Sequence, residues 1–469
     1  ERAAIALPIG IALLALPGIY SLTLHKTKDV LLVGWQIMAG LSLVVFVFVR
    51  HVRPVGERFA GAPWKANELL LAALLVGAFI YAYPTLATPT MDGDLFTFMA
   101  GVSDARMGKP FNLAEPLFGS GLGVFVRSYF NQFPVIWILW SELAHQTPVD
   151  LTANVSRPIL ALWTLLAAYT LGKAAGNGSR SFGLFVAAVQ MLLYLAAPFL
   201  RADSVAAFFF QRTNADKYTI SVTMLPVIFA LTIRFLRDRR LAALGAAALA
   251  AFAVSAIHPL IAAMLAMGLA AFGGLHLLLN LRSRRAYGRV FSLGVLAVIA
   301  MVLPVILLVL SRSELPLAPT FPRSFNGWQV GIEQIPALPF VRVPNLDWYG
   351  PLPELPELQA TDANTDANPF LVWRYAFNMR RSRLIITDLR RYISDPAIIL
   401  EPPYLLALLI LPFLLKGIRT NIAAQFVVST SLAVLFAMYN PLVTPIIGRL
   451  VVPWLLWRLV WLLPYALVI

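Results

Sequence analysis

Residues 3–24 contain no charged side chain, and apolar runs of the same kind recur along the chain. An α-helix needs about 20 such residues to cross the hydrocarbon core of a bilayer, with a range of roughly 17 to 25. Runs that reach or approach that length fall at 3–24, 29–50, 67–84, 156–172, 181–200, 217–236, 241–257, 259–280, 290–311, 402–415 and 420–438, and another apolar stretch begins near 449. In lipid, backbone polar groups must be satisfied inside the segment, so each run is expected as a helix. Only 13% of the residues are charged, against about 25% in a soluble domain. The expected fold is an all-α polytopic membrane protein with about 11–12 transmembrane helices.

The chain has no cysteine, which excludes disulfides, thiolate metal sites and cysteine nucleophiles. Its net charge of +14 reflects Lys and Arg gathered in cytoplasmic loops against anionic headgroups, and no nucleic-acid partner is expected. A first residue that is Glu rather than Met, and an end inside an apolar run, lead us to expect a longer natural protein.

Orientation follows from the short-loop cations. Arg50, Arg53, Arg58 and Lys65 fall in one turn, Lys173 and Arg180 in another, and Arg234, Arg237, Arg239 and Arg240 in a third. Arg282, Arg284, Arg285 and Arg289 follow, then Lys416 and Arg419. These turns share one side only if the interrupted segment 131–146 ("NQFPVIWILWSELAHQ") does not cross, so it is read as a re-entrant or interfacial helix. The loops at 85–155 and 201–216, the turn at His258, the segment 312–401 and the turn near 439–448 then lie outside the cytoplasm. The chain divides into an N-terminal hairpin with its loop (1–66), a core (67–311), an extracytoplasmic cap (312–401) and C-terminal helices (402–469). Within the cap, "RYAFNMRRSRLIITDLRRYISDP" has apolar residues near helical spacing among arginines and is expected as an amphipathic helix on the membrane surface. No internal repeat of the transporter kind is present.

The outward loop opens with "MDGDLFTFMAGVSDARMGKPF". Leu95, Phe98, Met99 and Val102 recur at helical spacing, so a helix lying along the membrane should follow Asp92 and Asp94. Carboxylates near a helix start are favoured by its dipole, and a solvated loop end needs no more than that.

With that layout the chain resembles the C-type (GT-C) superfamily of membrane glycosyltransferases, which use polyprenyl-phosphate-linked sugars. "YPTLATPTMDGDLFTFMAGVSDARMGKPFN" matches the outward span, acidic loop start and juxtamembrane helix of that family. Pro134, the break at 145–155, Arg157-Pro158 and Lys173 resemble its Pro-led apolar helix, short polar break, Arg-Pro-like span start and basic cytoplasmic end. The resemblance covers 67–311 best, and two further spans precede the outward one here.

The resemblance implies that Asp92, or else Asp94, is the general base that takes a proton from the acceptor hydroxyl. The pair could instead hold a divalent cation, Mg²⁺ or Mn²⁺, on the phosphate. A phosphate leaving group also needs cations on the same face, and Arg201, Arg212, Lys217 and Arg458 are the candidates. Asp203 and Asp216 could pair with the loop arginines. His258, at an outer turn, is a candidate for binding acceptor or phosphate, and His145 a lesser one. His25, His51 and His276 show no ligand spacing.

The expected function is a polyprenyl-phosphate-sugar-dependent glycosyltransferase of a prokaryotic plasma membrane, with its active site on the extracytoplasmic face and a glycan, lipid or protein acceptor. The alternatives are a lipid-linked oligosaccharide polymerase or ligase, a transporter or flippase, and a non-catalytic membrane subunit. Transporters usually place ionisable groups at mid-membrane in broken helices, whereas here the carboxylates gather at one rim.

Overall fold

A computed structural model describes residues 1–52, 66–83, 93–112, 131–196, 215–312, 384–386, 392–451 and 453–468. The apolar runs become helices: α1 (Arg2–Thr23), α2 (Lys28–Val52), α3 (Ala66–Ala82), α7 (Arg157–Ala175) and α8 (Arg180–Ala196). They continue as α10 (Leu225–Asp238), α11 (Leu241–Ile257), α12 (Pro259–Leu279), α13 (Arg284–Arg312), α14 (Pro402–Leu414) and α15 (Ile422–Tyr439). Between them lie α4 (Gly93–Arg106), α5 (Phe133–Ala144) and the single turns α6 (Pro148–Asp150) and α9 (Asp216–Thr219). Two π-helical turns, Leu151–Ser156 and Ile220–Met224, lead into α7 and α10. Among the described residues, seven helical stretches are long and apolar enough to cross a membrane: α1, Lys28–Val45 of α2, Pro148–Ala175, Asp216–Asp238, α12, Arg284–Leu307 of α13, and α15.

Ion pairs mark the two ends of the bundle. At one end Glu1 Oε1 lies 2.9 Å from Lys173 Nζ and 2.6 Å from Arg234. Arg237 donates to the Ala174 carbonyl, and Arg180 pairs with Glu68. The starts of α1, α3 and α8 therefore meet the ends of α7 and α10. At the other end Glu142 receives Lys28 at 3.0 Å and Arg106 at 3.2 Å, drawing α2, α4 and α5 together. The backbone N–H of Phe111 donates to the Lys26 carbonyl there.

Helix α5 belongs wholly to this second end. The N–H of Gln132, at its start, donates to the carbonyl of Ala256, one residue before α11 stops. Its other end carries Glu142, already tied to Lys28. Twelve residues would rise about 18 Å, too little to span the bilayer. Gly18 of α1 makes this packing possible, because a Cβ there would collide with the Gln132 side chain.

The Asp216–Asp238 stretch is central, with 89% of its apolar window buried, against 22% for α13 and 6% for α2. It packs against α7, α11 and α15. Phe229 meets Phe426 at 4.6 Å between ring centres, and Phe426 meets Phe272 edge-on at 5.5 Å.

Two expectations are corrected. The amphipathic helix expected near residue 385 is instead an antiparallel ladder among the described residues, β1 (Leu384–Ile386) with β2 (Tyr392–Ser394), Ile385 facing Ile393. Here β-branched and aromatic residues favour the pleated pairing over the helical spacing. Tyr439, at the end of α15, donates to the Asp395 carbonyl and ties the ladder to the bundle. The apolar stretch from 449 is not one continuous helix either. It breaks into the end of α16 (Val443–Val451), a 3₁₀ segment (Pro453–Leu462) and α17 (Tyr465–Val468). Pro453 and Pro464 stand at the starts of the two later pieces, where a missing N–H and a fixed φ end one helix and begin another.

Candidate functional site

Where the chain turns into α9, Ala215 is extended and Asp216 opens the helix. The Asp216 carboxylate accepts the backbone N–H of Lys217 at 2.7 Å. The π-helical turn after α9 departs from the regular i→i−4 ladder, a device frequent at functional sites. His258 sits in extended conformation between α11 and α12 and delivers its ring to the same place. Its Nε2 stands 4.0 Å from Asp216 Oδ2.

Asp216, Lys217 and His258 are 2%, 5% and 6% exposed. An acid, an amine and an imidazole are costly to bury, and each is tolerated only when partner groups compensate it. Such clusters concentrate at binding and catalytic sites.

An aromatic line continues from this cluster. The Lys217 ammonium lies 5.7 Å from the centre of the Tyr218 ring, and Tyr218 lies 5.2 Å from Trp461. The guanidinium of Arg458 stands 5.5 Å from both Trp457 and Trp461, whose rings meet edge-on. The indole faces thus carry the cation inside an apolar segment. Arg157, only 2% exposed, comes directly after the other π-helical turn.

Two clefts open in the bundle, neither of them lined by Asp216, Lys217 or His258. One, of about 640 Å³, lies between α7, α8, α10, α15 and the 461–467 segment. It is mostly apolar, with Gln190 and Ser221 as polar points, and it reaches the aromatic line at Trp461. The other, of about 230 Å³, is lined by Ile257 and Pro259 on either side of His258, with Asn131 and Pro304.

Of the residues expected from the sequence, Lys217 and His258 come together around Asp216, and Arg458 joins them through Trp461 and Tyr218. Asp92, Arg201 and Arg212 lie outside the described residues. Asp94 falls in the first turn of α4, a helix whose Met99, Val102 and Ala105 are buried and which packs on α5 and α6. His145 caps the end of α5 in a left-handed conformation, and His25 bonds to the Phe111 carbonyl. His276 pairs with Gln425 at 2.8 Å, at the basic end.

Sequence reasoning gave Asp216 only the role of a counter-ion to loop arginines, and it overlooked Tyr218 and Trp461. The one signal in the sequence was "DKY" at the start of an apolar run. Among the described residues no group of three or more His, Asp or Glu could hold a metal ion.

Comparison with known protein families, curated proteins and solved structures gives no match to this chain.

Proposed function

We propose that the chain is a membrane glycosyltransferase of the C-type superfamily, passing a sugar from a polyprenyl-phosphate carrier to a glycan, lipid or protein acceptor. The observation that carries this reading is the buried Asp216–Lys217–His258 cluster, with Arg458 joined to it through aromatic rings, toward one end of a bundle of membrane-type helices. A transporter keeps such groups near the bilayer midplane. An enzyme that brings a lipid-held donor to a water-borne acceptor needs them near the rim.

In this reading the cation-rich end is cytoplasmic and the cluster faces outward from a prokaryotic plasma membrane. Helices α3, α8, α11 and α14 cross beside the longer ones, giving about 11 crossings. Transfer with inversion needs a base to remove the acceptor's hydroxyl proton as its oxygen attacks the sugar C1 and the C1–O bond to phosphate breaks. Asp92 or Asp94 is that base. Lys217 and Arg458, with Arg201 and Arg212, receive the charge gathering on the departing phosphate. His258, held beside Asp216, binds the acceptor or the phosphate. Asp92 and Asp94 would hold a divalent cation, which would supply a further ligand to the phosphate.

The test compares surface glycans of a deletion strain complemented with the wild-type chain or with Asp92→Asn. Loss of a glycan that only the wild type restores is the expected result. Full restoration by a well-folded Asp92→Asn protein would pass the base role to Asp94, and full restoration by a well-folded Asp92→Asn/Asp94→Asn protein would remove the assignment.

A further inference from the structure

Helix α2 packs on α1 and leaves most of its surface uncovered, with 6% of its apolar window buried. Its inner face is marked by Leu31, which is fully buried, and by Gly34, where a Cβ would come within 2.7 Å of the Pro17 side chain. Counting about 100° per residue, Val33, Gln36, Gly40, Leu43 and Val47 fall within about 80° of arc, centred about 170° from that face. All of them are exposed. Their alternating spacing of three and four residues is that of a coiled-coil seam.

Gln36 sets this face apart from an ordinary lipid-facing one. Lys28, tied to Glu142, holds the outer end of α2. Gln36 lies about 12 Å further along the axis, inside a hydrocarbon layer of about 30 Å. Its amide has no hydrogen-bond partner among the described residues. Other polar groups within the spans are provided for. Ser42 donates to the Met38 carbonyl one turn back, and Gln425 of α15 has both ends of its amide bonded, to His276 and to the Ile418 carbonyl. An amide facing lipid alone is costly, and a polar group on a neighbouring helix removes the cost. Gly40, one turn beyond Gln36, has nothing within 4 Å of where a Cβ would stand, so its small size serves no contact within the chain. Glycine weakens a helix interior, and on this face it leaves room for a second backbone to come close.

The amide also indicates what covers the face. Copies of one chain enter a membrane in the same orientation, so a two-fold axis along the membrane normal sets each residue of α2 opposite itself at the same depth. The Gln36 amide is electrostatically complementary to itself, with a positive NH₂ end and a negative carbonyl end, and two of them can donate and accept reciprocally. A foreign helix would have to bring its own polar group to this depth and this face.

We propose that α2 pairs with α2 of a second copy of this chain along Val33, Gln36, Gly40, Leu43 and Val47, the two Gln36 amides hydrogen-bonding to each other. The pairing does not depend on the transfer reaction.

The chain has no cysteine, so a single introduced one reports on its own neighbour. The full chain carrying Leu43→Cys or Val47→Cys is oxidised in the membranes of the expressing cells, beside Leu41→Cys and Val45→Cys. These two controls are as exposed but are turned more than about 100° from the seam. The seam positions should give a disulfide-linked product of twice the chain's mass, and the controls should give little. Energy transfer between copies carrying fused fluorescent proteins, diluted in lipid vesicles, then measures association. Gln36→Leu should weaken it about three- to thirtyfold, the range for one interhelical hydrogen bond in a membrane, and Gln36→Asn should restore part of that loss. Because Gln36 faces lipid, the leucine variant should unfold at the wild-type temperature or above. Absence of linked product at the seam overturns the proposal, and so does equal linking at the controls, which would show collision. A product of any other mass overturns it in favour of a different partner. Unchanged association in Gln36→Leu overturns it as well.

Discussion

Asp216 opens α9 and His258 lies between α11 and α12, yet their side chains approach to 4.0 Å with almost no solvent contact. Neither is adjacent to the other in sequence, and only the turn between α11 and α12 brings the imidazole to the start of α9. If the two act as a unit, Asp216→Asn and His258→Gln should each lower sugar transfer at least about tenfold, and the double variant should cost less than the sum of the singles. Amide replacements keep the volume, so thermal unfolding in detergent separates lost activity from lost folding. Additive effects, or transfer within about twofold of wild type in both singles, would leave the pair a packing feature.

Arg458 lies against two indole rings that meet each other edge-on, a setting that suits a flat, delocalised cation and not a compact ammonium. Arg458→Lys keeps the charge but loses the stacking. Under the proposed reaction it should raise the KM for the phosphate-linked donor more than it changes kcat, and Arg458→Ala should do more of the same. An unchanged donor KM in both variants would take Arg458 out of phosphate binding.

Glu142 sets a pH dependence at the other side of this end. Burial alone would raise its pKa, but hydrogen bonds from Lys28 and Arg106, and their charges, outweigh that and hold the carboxyl below the usual glutamate range. The folded carboxylate therefore adds stability that is complete above the unfolded value of about 4.3. That contribution is lost as the pH falls below this value and through the lowered folded one. Glu142→Gln should melt earlier than wild type at pH 7, by about 1 kcal/mol for a partly exposed pair. The gap should narrow below about pH 4. A gap of the same size at pH 7 and pH 3.5 would show that the three groups do not hold this corner as an ion pair.

The helices were legible because length and apolar content are local properties, and lipid leaves a chain few other options. The non-crossing of 131–146 was legible for a different reason: the basic turns alternate correctly only without it. The hidden features depended on distance in sequence or on competition between local preferences. Arg458 could not be assigned to an end until Pro453 and Pro464 were seen to fold the last apolar stretch into short pieces beside Tyr218. "RLIITDLRRYIS" carries both a helical spacing and strand-forming residues, and the ladder prevails at 384–386 and 392–394. Asp216 looked like a loop counter-ion because nothing in its neighbourhood points to a histidine in the next pair of helices.

The position of α5 rests on one close approach, and so does the shape of the end that holds the candidate site. Gly18 gives up its side chain so that the Gln132 amide can lie against α1, and the Gln132 N–H reaches Ala256, two residues before His258. A methyl group at Gly18 must push Gln132 away, and Gln132 is fully buried. Gly18→Ala should therefore destabilise the fold by about 1–3 kcal/mol, the usual cost of overpacking, even though alanine is the better helix former. Gln132→Ala in the same chain removes the colliding atoms and should recover part of that loss. Thermal unfolding of the wild type, both single variants and the double variant completes the cycle. If Gly18→Ala is as stable as wild type, α5 does not press on α1 in this way. If the loss is not reduced by Gln132→Ala, the collision lies with another neighbour.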